Sequence, residues 1–447
     1  MRYLPHTEDE LHQMLERVGV SSIDQLFEPI PQAGRLERAL DLPEALDELS
    51  LMAHLDELAS QNHAASTLSF LGAGMYDHHI PPAVDQLLLR SEFYTAYTPY
   101  QPELSQGTLQ ATFEFQTLVA QLYGMEVANS SMYDGASAMA EAALMARRVT
   151  KREGIVLGGG MHPDYAETLR TYLRVGHDSV QGLPLDARGV TSEASLREAV
   201  DEQTAAVLIA YPNFFGAVED LRVAAEIAHE AGALLVSVTP EVYALSVLTP
   251  PGELGADIAV GEGQSLATGV SFGGPGVGLF TTRQRYVRQV PGRLVGQTVD
   301  SKGERGFVLT LSTREQHIRR ARATSNICTN HALVALAFAM RTAMLGRRGF
   351  EAVGRICLSR TEYLKARLLD SGRFSLPYSA PTFNEFVVRR SDGKAAPLLA
   401  ALAAHGIHGG VDLGRFDSEH ARDVLIAVTE RHSKADLDRL VDAMANA

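Results

Sequence analysis

Five short apolar runs, at 155–157, 206–210, 234–238, 257–260 and 277–280, limit the possible folds of this chain more than any other feature of its sequence. Each is too short for a helix, and several are separated by stretches of helical periodicity such as 221–231, which stops at Gly232. Short apolar strands alternating with amphipathic helices predict a mostly parallel sheet covered on both faces. In such sheets ligands sit beyond the carboxyl ends of the strands. Upstream, 104–150 reads as a helix, a turn at Asp134-Gly135-Ala136-Ser137 and a helix rich in small residues. From His331 the helices lengthen, and runs at 385–388, 406–410 and 424–428 followed by a helix at 433–444 predict a small α+β domain. At the start, Thr7 and Glu10 form a capping box for a helix to Arg17, with Leu11, Met14 and Leu15 at helical spacing. A second helix is expected over 41–59, with Leu42, Leu46, Leu49 and Ala53 on one face. The expected organisation is an N-terminal helical arm (1–62), a large sheet domain (63–330) and a small C-terminal domain (331–447). No repeat of solenoid length is visible.

Composition removes several function classes. An apolar content of 45% over 447 residues is enough for a large core. A net charge of −14 argues against a nucleic-acid partner, because neutralising phosphates takes clustered cations and runs such as 319–322 are short. Two cysteines, Cys328 and Cys357, build no disulfide framework and suit a reducing compartment. The first ten residues turn acidic before any apolar run, unlike a secretory or Arg-rich transit signal, and no run is long enough to span a bilayer. The expectation is a soluble, cytoplasmic chain with no membrane association. Its only lysines are Lys151, Lys302, Lys365, Lys394 and Lys434, so chemistry that needs a lysine has few candidates.

Four loops fall where such a sheet presents a ligand. The backbone N–H groups and the Ser137 hydroxyl of Asp134-Gly135-Ala136-Ser137 suit either an anion site or a plain helix cap. The run 271–278, with Gly273 and Gly274, permits close backbone approach to a ligand or another chain. It opens a strand where a dinucleotide loop opens a helix, which disfavours that fold. In 94–103 the residues Tyr94, Tyr97, Tyr100, Gln101 and Glu103 crowd a Pro-rich stretch, suited to a substrate-facing rim or a rigid loop between subunits. His162, just past the 155–157 strand, suits stacking on an aromatic ligand or a structural role. His78-His79 lacks metal-ligand spacing and a third partner, so no metal is assigned. No GxSxG elbow is present.

Several phrases, in order, carry a resemblance. They are Tyr3-Leu4-Pro5-His6-Thr7, Phe70-Leu71-Gly72-Ala73-Gly74-Met75-Tyr76-Asp77-His78 and Tyr97-Thr98-Pro99-Tyr100-Gln101-Pro102-Glu103. Tyr133-Asp134-Gly135-Ala136-Ser137, Phe272-Gly273-Gly274-Pro275-Gly276 and Ala323-Thr324-Ser325-Asn326-Ile327-Cys328-Thr329-Asn330 follow. Together they resemble the glycine cleavage system P-protein family, in particular the alpha subunit (subunit 1) of its split bacterial form. The resemblance implies the pyridoxal-phosphate (PLP) transferase fold type I, aspartate-aminotransferase-like, with a large mixed, mostly parallel sheet domain and a small α+β domain. PLP works as an electron sink only when a lysine holds its aldehyde and a carboxylate keeps its ring nitrogen protonated. By this resemblance Gln264 stands in place of the lysine and Val238 in place of the aspartate, and a glutamine amide forms no such bond. This chain is therefore expected to bind no cofactor, with Asp134, Gly135, Ser137, His162, Gly273 and Gly274 as a vestigial pocket.

The family's reaction implies the rest. A partner beta subunit would carry pyridoxal phosphate, in a complex of two alpha and two beta chains. Glycine would lose CO2, and its aminomethyl group would pass to the lipoyl arm of the H-protein. Tyr94, Tyr97, Tyr100, Gln101 and Glu103 would line the partner's site, this chain having no catalytic residue of its own. Two alternatives compete: a non-catalytic scaffold or regulatory subunit of a PLP enzyme, and an independent PLP decarboxylase or aminotransferase.

Overall fold

The computed structural model describes residues 5–36, 38–64, 66–174 and 180–447. Tyr3 and Leu4, which open the first resembling phrase, lie outside the described residues. The chain divides into two compact units, Met1–Ala65 and Ser66–Ala447.

In the first unit, helix Glu8–Val18 begins at the expected capping box and ends on Gly19 in the left-handed region, φ +86°. The Thr7 N–H donates to Glu10 Oε2 at 2.7 Å, and the Glu10 N–H to Thr7 Oγ1 at 3.3 Å. The second helix, Glu48–Ser60, starts later than the apolar spacing predicted. Residues 41–47 are not helical, so Leu42 and Leu46 share no helix face with Leu49. The cause is local. Pro43 pushes Leu42 out of the helical region, and the Asp47 carboxylate caps the helix by accepting the Ser50 N–H at 2.9 Å. Neither helix has a buried residue, and Leu49 is 83% exposed.

The second unit is built on a seven-stranded sheet. Its spatial order is Val127–Ala128, Gly278–Thr282, Ile258–Glu262, Leu234–Thr239, Thr204–Ala210, Gly154–Leu157 and Val180–Gly182. The last five run parallel to one another, whereas Gly278–Thr282 runs antiparallel to Ile258–Glu262, and Val127–Ala128 antiparallel to Gly278–Thr282. Every residue of the four strands from Thr204–Ala210 to Gly278–Thr282 in the sheet is buried, which is why their sequences are apolar without alternation. On one face lie Met139, Ala142 and Ala146 of helix Gly135–Thr150, whose small side chains bring the helix close to Ile155, Leu208 and Val236. On the other, Val207, Leu235 and Ala259 face Phe115, Val119 and Phe338.

A second, antiparallel sheet (Phe374–Ser375, Glu385–Arg390, Asp423–Ala427, Val411–Asp412) forms the core of the small domain. Helix Ala332–Asp370 spans both cores, broken at Gly346 by φ +56°. Its Phe338 meets Phe115 edge-on at 5.4 Å, and its Leu364 and Leu368 pack with Phe386 and Val388 of the small sheet. No helix among the described residues is long and apolar enough to cross a membrane.

Buried ions tie the segment 70–79 to both sheets. The Ala73 N–H and Tyr76 hydroxyl donate to the two oxygens of Glu385, at 2.7 and 2.8 Å. His78 bonds Glu241 Oε2 through Nε2 at 3.0 Å and Glu430 Oε2 through Nδ1 at 2.6 Å. Burial opposes charge on this ring, but the two carboxylates, Glu241 foremost, outweigh it and push the imidazole up to about 9. An imidazolium held above its unfolded value of 6.5 contributes stability that is complete below pH 6.5 and lost as pH rises through about 9.

Two outcomes are expected. Leu208→Ala, fully buried in mid-sheet, costs about 2–5 kcal/mol, whereas Leu49→Ala on the exposed helix stays within about 0.5 kcal/mol, as read from calorimetric midpoints of the full chain. The wild-type midpoint falls between pH 6.5 and 9, and His78→Gln is less stable throughout but flatter across that window. An equal slope in both proteins would remove His78 as the titrating group.

Candidate functional site

The carboxyl ends of the parallel strands meet at one edge of the large sheet, and the residues singled out by sequence can be placed against it. Val238 lies within strand Leu234–Thr239, fully buried, between Ala210 and Val260 on the neighbouring strands. Strand Ile258–Glu262 ends one residue before a short helix, Gln264–Ala267. The Gln264 amide is turned back into that helix, its Nε2 donating to the Thr268 carbonyl at 2.6 Å.

Helix Gly135–Thr150 starts beside these residues. Asp134 is its N-cap, accepting the Ser137 N–H at 2.7 Å, while the Ser137 hydroxyl accepts the Asp134 N–H at 3.2 Å and donates to the Asp134 carbonyl at 3.1 Å. The Ser137 side chain is consumed by the cap. The Gly135 N–H donates to Glu262 Oε2 at 2.9 Å. Gly135 is required by packing, since a Cβ there would lie 2.3 Å from the Tyr165 hydroxyl.

His162 caps helix Pro163–Leu173, its Nδ1 accepting the Asp164 N–H at 3.1 Å while Nε2 bonds the Ala73 carbonyl at 2.8 Å. Burial holds its pKa below the usual imidazole value, consistent with a neutral ring donating from Nε2. Its ring packs against Tyr165 and edge-on to Phe214, at 5.2 and 4.9 Å. Gly273 and Gly274 lie on the loop that leads to Val277, where a Cβ at Gly273 meets nothing within 4 Å and the adjacent Phe272 is 99% exposed.

Tested against pyridoxal phosphate, these residues do not fit. The positions that the sequence resemblance assigns to an amine and a carboxylate, Gln264 and Val238, carry an internally bonded amide and a valine, and the Gly135 N–H at the helix start is taken by Glu262. Lys302, the nearest lysine in sequence, sits exposed in the turn between strands Leu294–Val299 and Arg305–Thr310.

The tyrosine loop is a separate feature, irregular after Tyr94 and half or more exposed at Tyr94, Tyr97 and Tyr100. Gln101 and Glu103 face solvent as well. The Tyr97 hydroxyl pairs with Thr329 Oγ1 at 3.0 Å. The Tyr100 hydroxyl accepts from Arg293 Nη2 at 2.9 Å, and the guanidinium stands 5.1 Å from the ring centroid. Arg293 is itself buried, pairing with Glu315 at 3.4 Å and with Thr98 Oγ1 at 3.4 Å. Behind the loop a cleft runs between Phe93, Ala96 and Tyr97 on one side and Ser130, Arg293 and Asn330 on the other. Nothing in the sequence singled out Arg293, a lone arginine after Pro291-Gly292 with no motif spacing. His78 likewise gains its partners from distant residues. Cys357 and Glu430 place ligand-type atoms within 4.8 Å of it and of each other, contrary to the reading that it lacks a third partner. Both ring nitrogens are already engaged by carboxylates, so this is an ion cluster satisfied within the chain.

Comparison with known proteins identifies the family. The family model described as "Glycine cleavage system P-protein" matches residues 1–444. A protein of Sorangium cellulosum named "Probable glycine dehydrogenase (decarboxylating) subunit 1" is 58% identical over 450 residues, covering 100% of this chain and 99% of the relative. A crystal structure of glycine decarboxylase (P-protein) of the glycine cleavage system, in inhibitor-bound form, is 46% identical and covers 100% of both chains at TM-score 0.89. Glutamate decarboxylase of Lactobacillus brevis, 13% identical, covers 94% of this chain at TM-score 0.70 and shows the shared fold alone, that of PLP-dependent fold type I enzymes. This chain belongs to the glycine cleavage system P-protein family.

Proposed function

We propose that this chain is the cofactor-free alpha subunit of a two-chain glycine decarboxylase, completing an active site whose pyridoxal phosphate is held by a partner beta subunit. One observation carries the reading. The chain matches the P-protein family over residues 1–444, and its sequence resemblance to that family puts Gln264 and Val238 where the cofactor would need a lysine and a carboxylate. When bound in the partner, the cofactor supplies the electron sink for loss of CO2 from glycine. The aminomethyl group then passes to the lipoyl arm of the H-protein. The assembly is two alpha and two beta chains, and it acts in the cytoplasm.

The part of this chain in that reaction is positional. Tyr97 and Tyr100 offer ring faces and hydroxyls at little cost in rotamer entropy, and Arg293 and Thr329 fix where those hydroxyls stand. Tyr94, Gln101 and Glu103 extend the same exposed rim toward the partner. Such a rim orients substrate and excludes water without forming a bond to it.

Two measurements test the reading. The purified chain shows no visible absorbance from bound pyridoxal phosphate, whereas the co-purified complex does; a cofactor covalently attached to one of the chain's own lysines would overturn the assignment. In the assembled complex, Tyr100→Phe and Glu103→Gln each lower kcat/KM for glycine by at least about tenfold, a loss of about 1.4 kcal/mol. Unchanged kinetics with intact assembly would make this chain a scaffold.

A further inference from the structure

The Gly135 N–H is not alone in bonding Glu262. The other carboxylate oxygen, Oε1, accepts the Gln264 N–H at 3.0 Å and the Val277 N–H at 2.9 Å. Three backbone donors from the start of a helix, the residue pair after one strand and the residue before another thus converge on a single carboxylate. Convergent N–H groups at a helix N-terminus form a cradle for oxyanions. The carboxylate in it is buried, with only 7% of the residue exposed. Asp134 lies close enough to oppose its charge, and among the described residues the hydrogen bonds to this carboxylate come from backbone N–H groups. Burial pushes the Glu262 carboxyl up to about 7, against the pull of the three N–H groups. A buried charge without a cationic partner is costly, and the same strand is otherwise Ile258, Ala259, Val260 and Gly261.

The three donors explain why that cost is borne. Without an acceptor, Gly135, Gln264 and Val277 would leave orphaned N–H groups in a closed interior. Closure is tight, because a Cβ on Gly276 would stand 2.9 Å from Glu262 Oε2 and one on Gly135 2.3 Å from the Tyr165 hydroxyl.

We infer that Glu262 is a built-in ligand: its carboxylate permanently occupies an oxyanion site formed by the N–H groups of Gly135, Gln264 and Val277, and closes that site to phosphate-bearing molecules. The inference stands whether or not the proposed partner enzyme does, since it concerns only this chain's own interior.

Glu262→Ala removes four heavy atoms, the same number as in acetate, and leaves the cradle intact. The test compares thermal midpoints of the full chain, with its co-purifying partner if it has one, in chloride, acetate and inorganic phosphate at matched ionic strength and pH 8. The variant melts several degrees below wild type in chloride and regains much of that loss in acetate or phosphate, while wild type shows no such selective gain. Recovery in acetate alone marks a carboxylate-sized hole, and recovery in phosphate one with phosphoryl room. Absence of any anion-selective recovery would overturn the inference, as would equal gains in wild type. Should the variant fail to fold, wild-type crystals grown in phosphate decide: Glu262 remains the only acceptor on the Gly135 N–H, and a phosphate seated there with Glu262 displaced refutes it.

Discussion

A parallel sheet buried on both faces leaves polar side chains few places to go, and the rest of this structure follows from that constraint. Asp257, at the amino end of strand Ile258–Glu262, is buried against His229 and Arg285, while at the carboxyl ends of strands Leu234–Thr239 and Ile258–Glu262 stand the buried carboxylates Glu241 and Glu262. The helix Gly135–Thr150 brings its N-terminus to the same edge because its alanines sit flat on the sheet. Val238, Glu262 and Gln264 all lie at this edge, and on the function proposed above Val238 and Gln264 are the positions at which the cofactor's reactive groups would be held.

The parts of the fold legible in the sequence were those written in local physics. Capping at Thr7 and Asp134, the stop at Gly232 and the uninterrupted apolar strands each follow from a few adjacent residues. The second helix was over-extended because apolar spacing at Leu42 and Leu46 imitates a helix face, and Pro43 and the Asp47 cap overrode it. Strand direction was less legible. Gly278–Thr282 is an apolar run like its parallel neighbours, yet it returns antiparallel beside Ile258–Glu262, and the connection between them holds only the short helical turns Gln264–Ala267 and Ser271–Gly273 instead of a crossover helix lying along the sheet.

The site was legible where one segment holds the chemistry and obscure where distant segments share it. The tyrosine loop announced itself by composition. Arg293, which anchors Tyr100, comes from 193 residues away, and Glu430, which holds His78, from 352. A lone Arg or Glu carries no pattern until the chain is folded, so no reading of spacing finds it. The same holds for Glu262. As a letter at the end of an apolar run it reads as the first residue of a loop, but its geometry makes it the acceptor for three converging donors.

That distinction bears on how a binding site is lost. A bound ligand stabilises the folded state by an amount that grows with the logarithm of its concentration over its dissociation constant, and its departure forfeits that stabilisation and exposes the donors that held it. Removing a reactive side chain from such a site abolishes reactivity but leaves backbone donors that water or a stray anion must satisfy. A carboxylate on the adjoining strand satisfies them at an effective concentration no free anion reaches, because it is tethered by two methylenes. The cost is a buried charge, met by three N–H dipoles instead of a cation. The tyrosine rim takes no part in these bonds, since the Tyr97 and Tyr100 hydroxyls are held by Thr329 and Arg293.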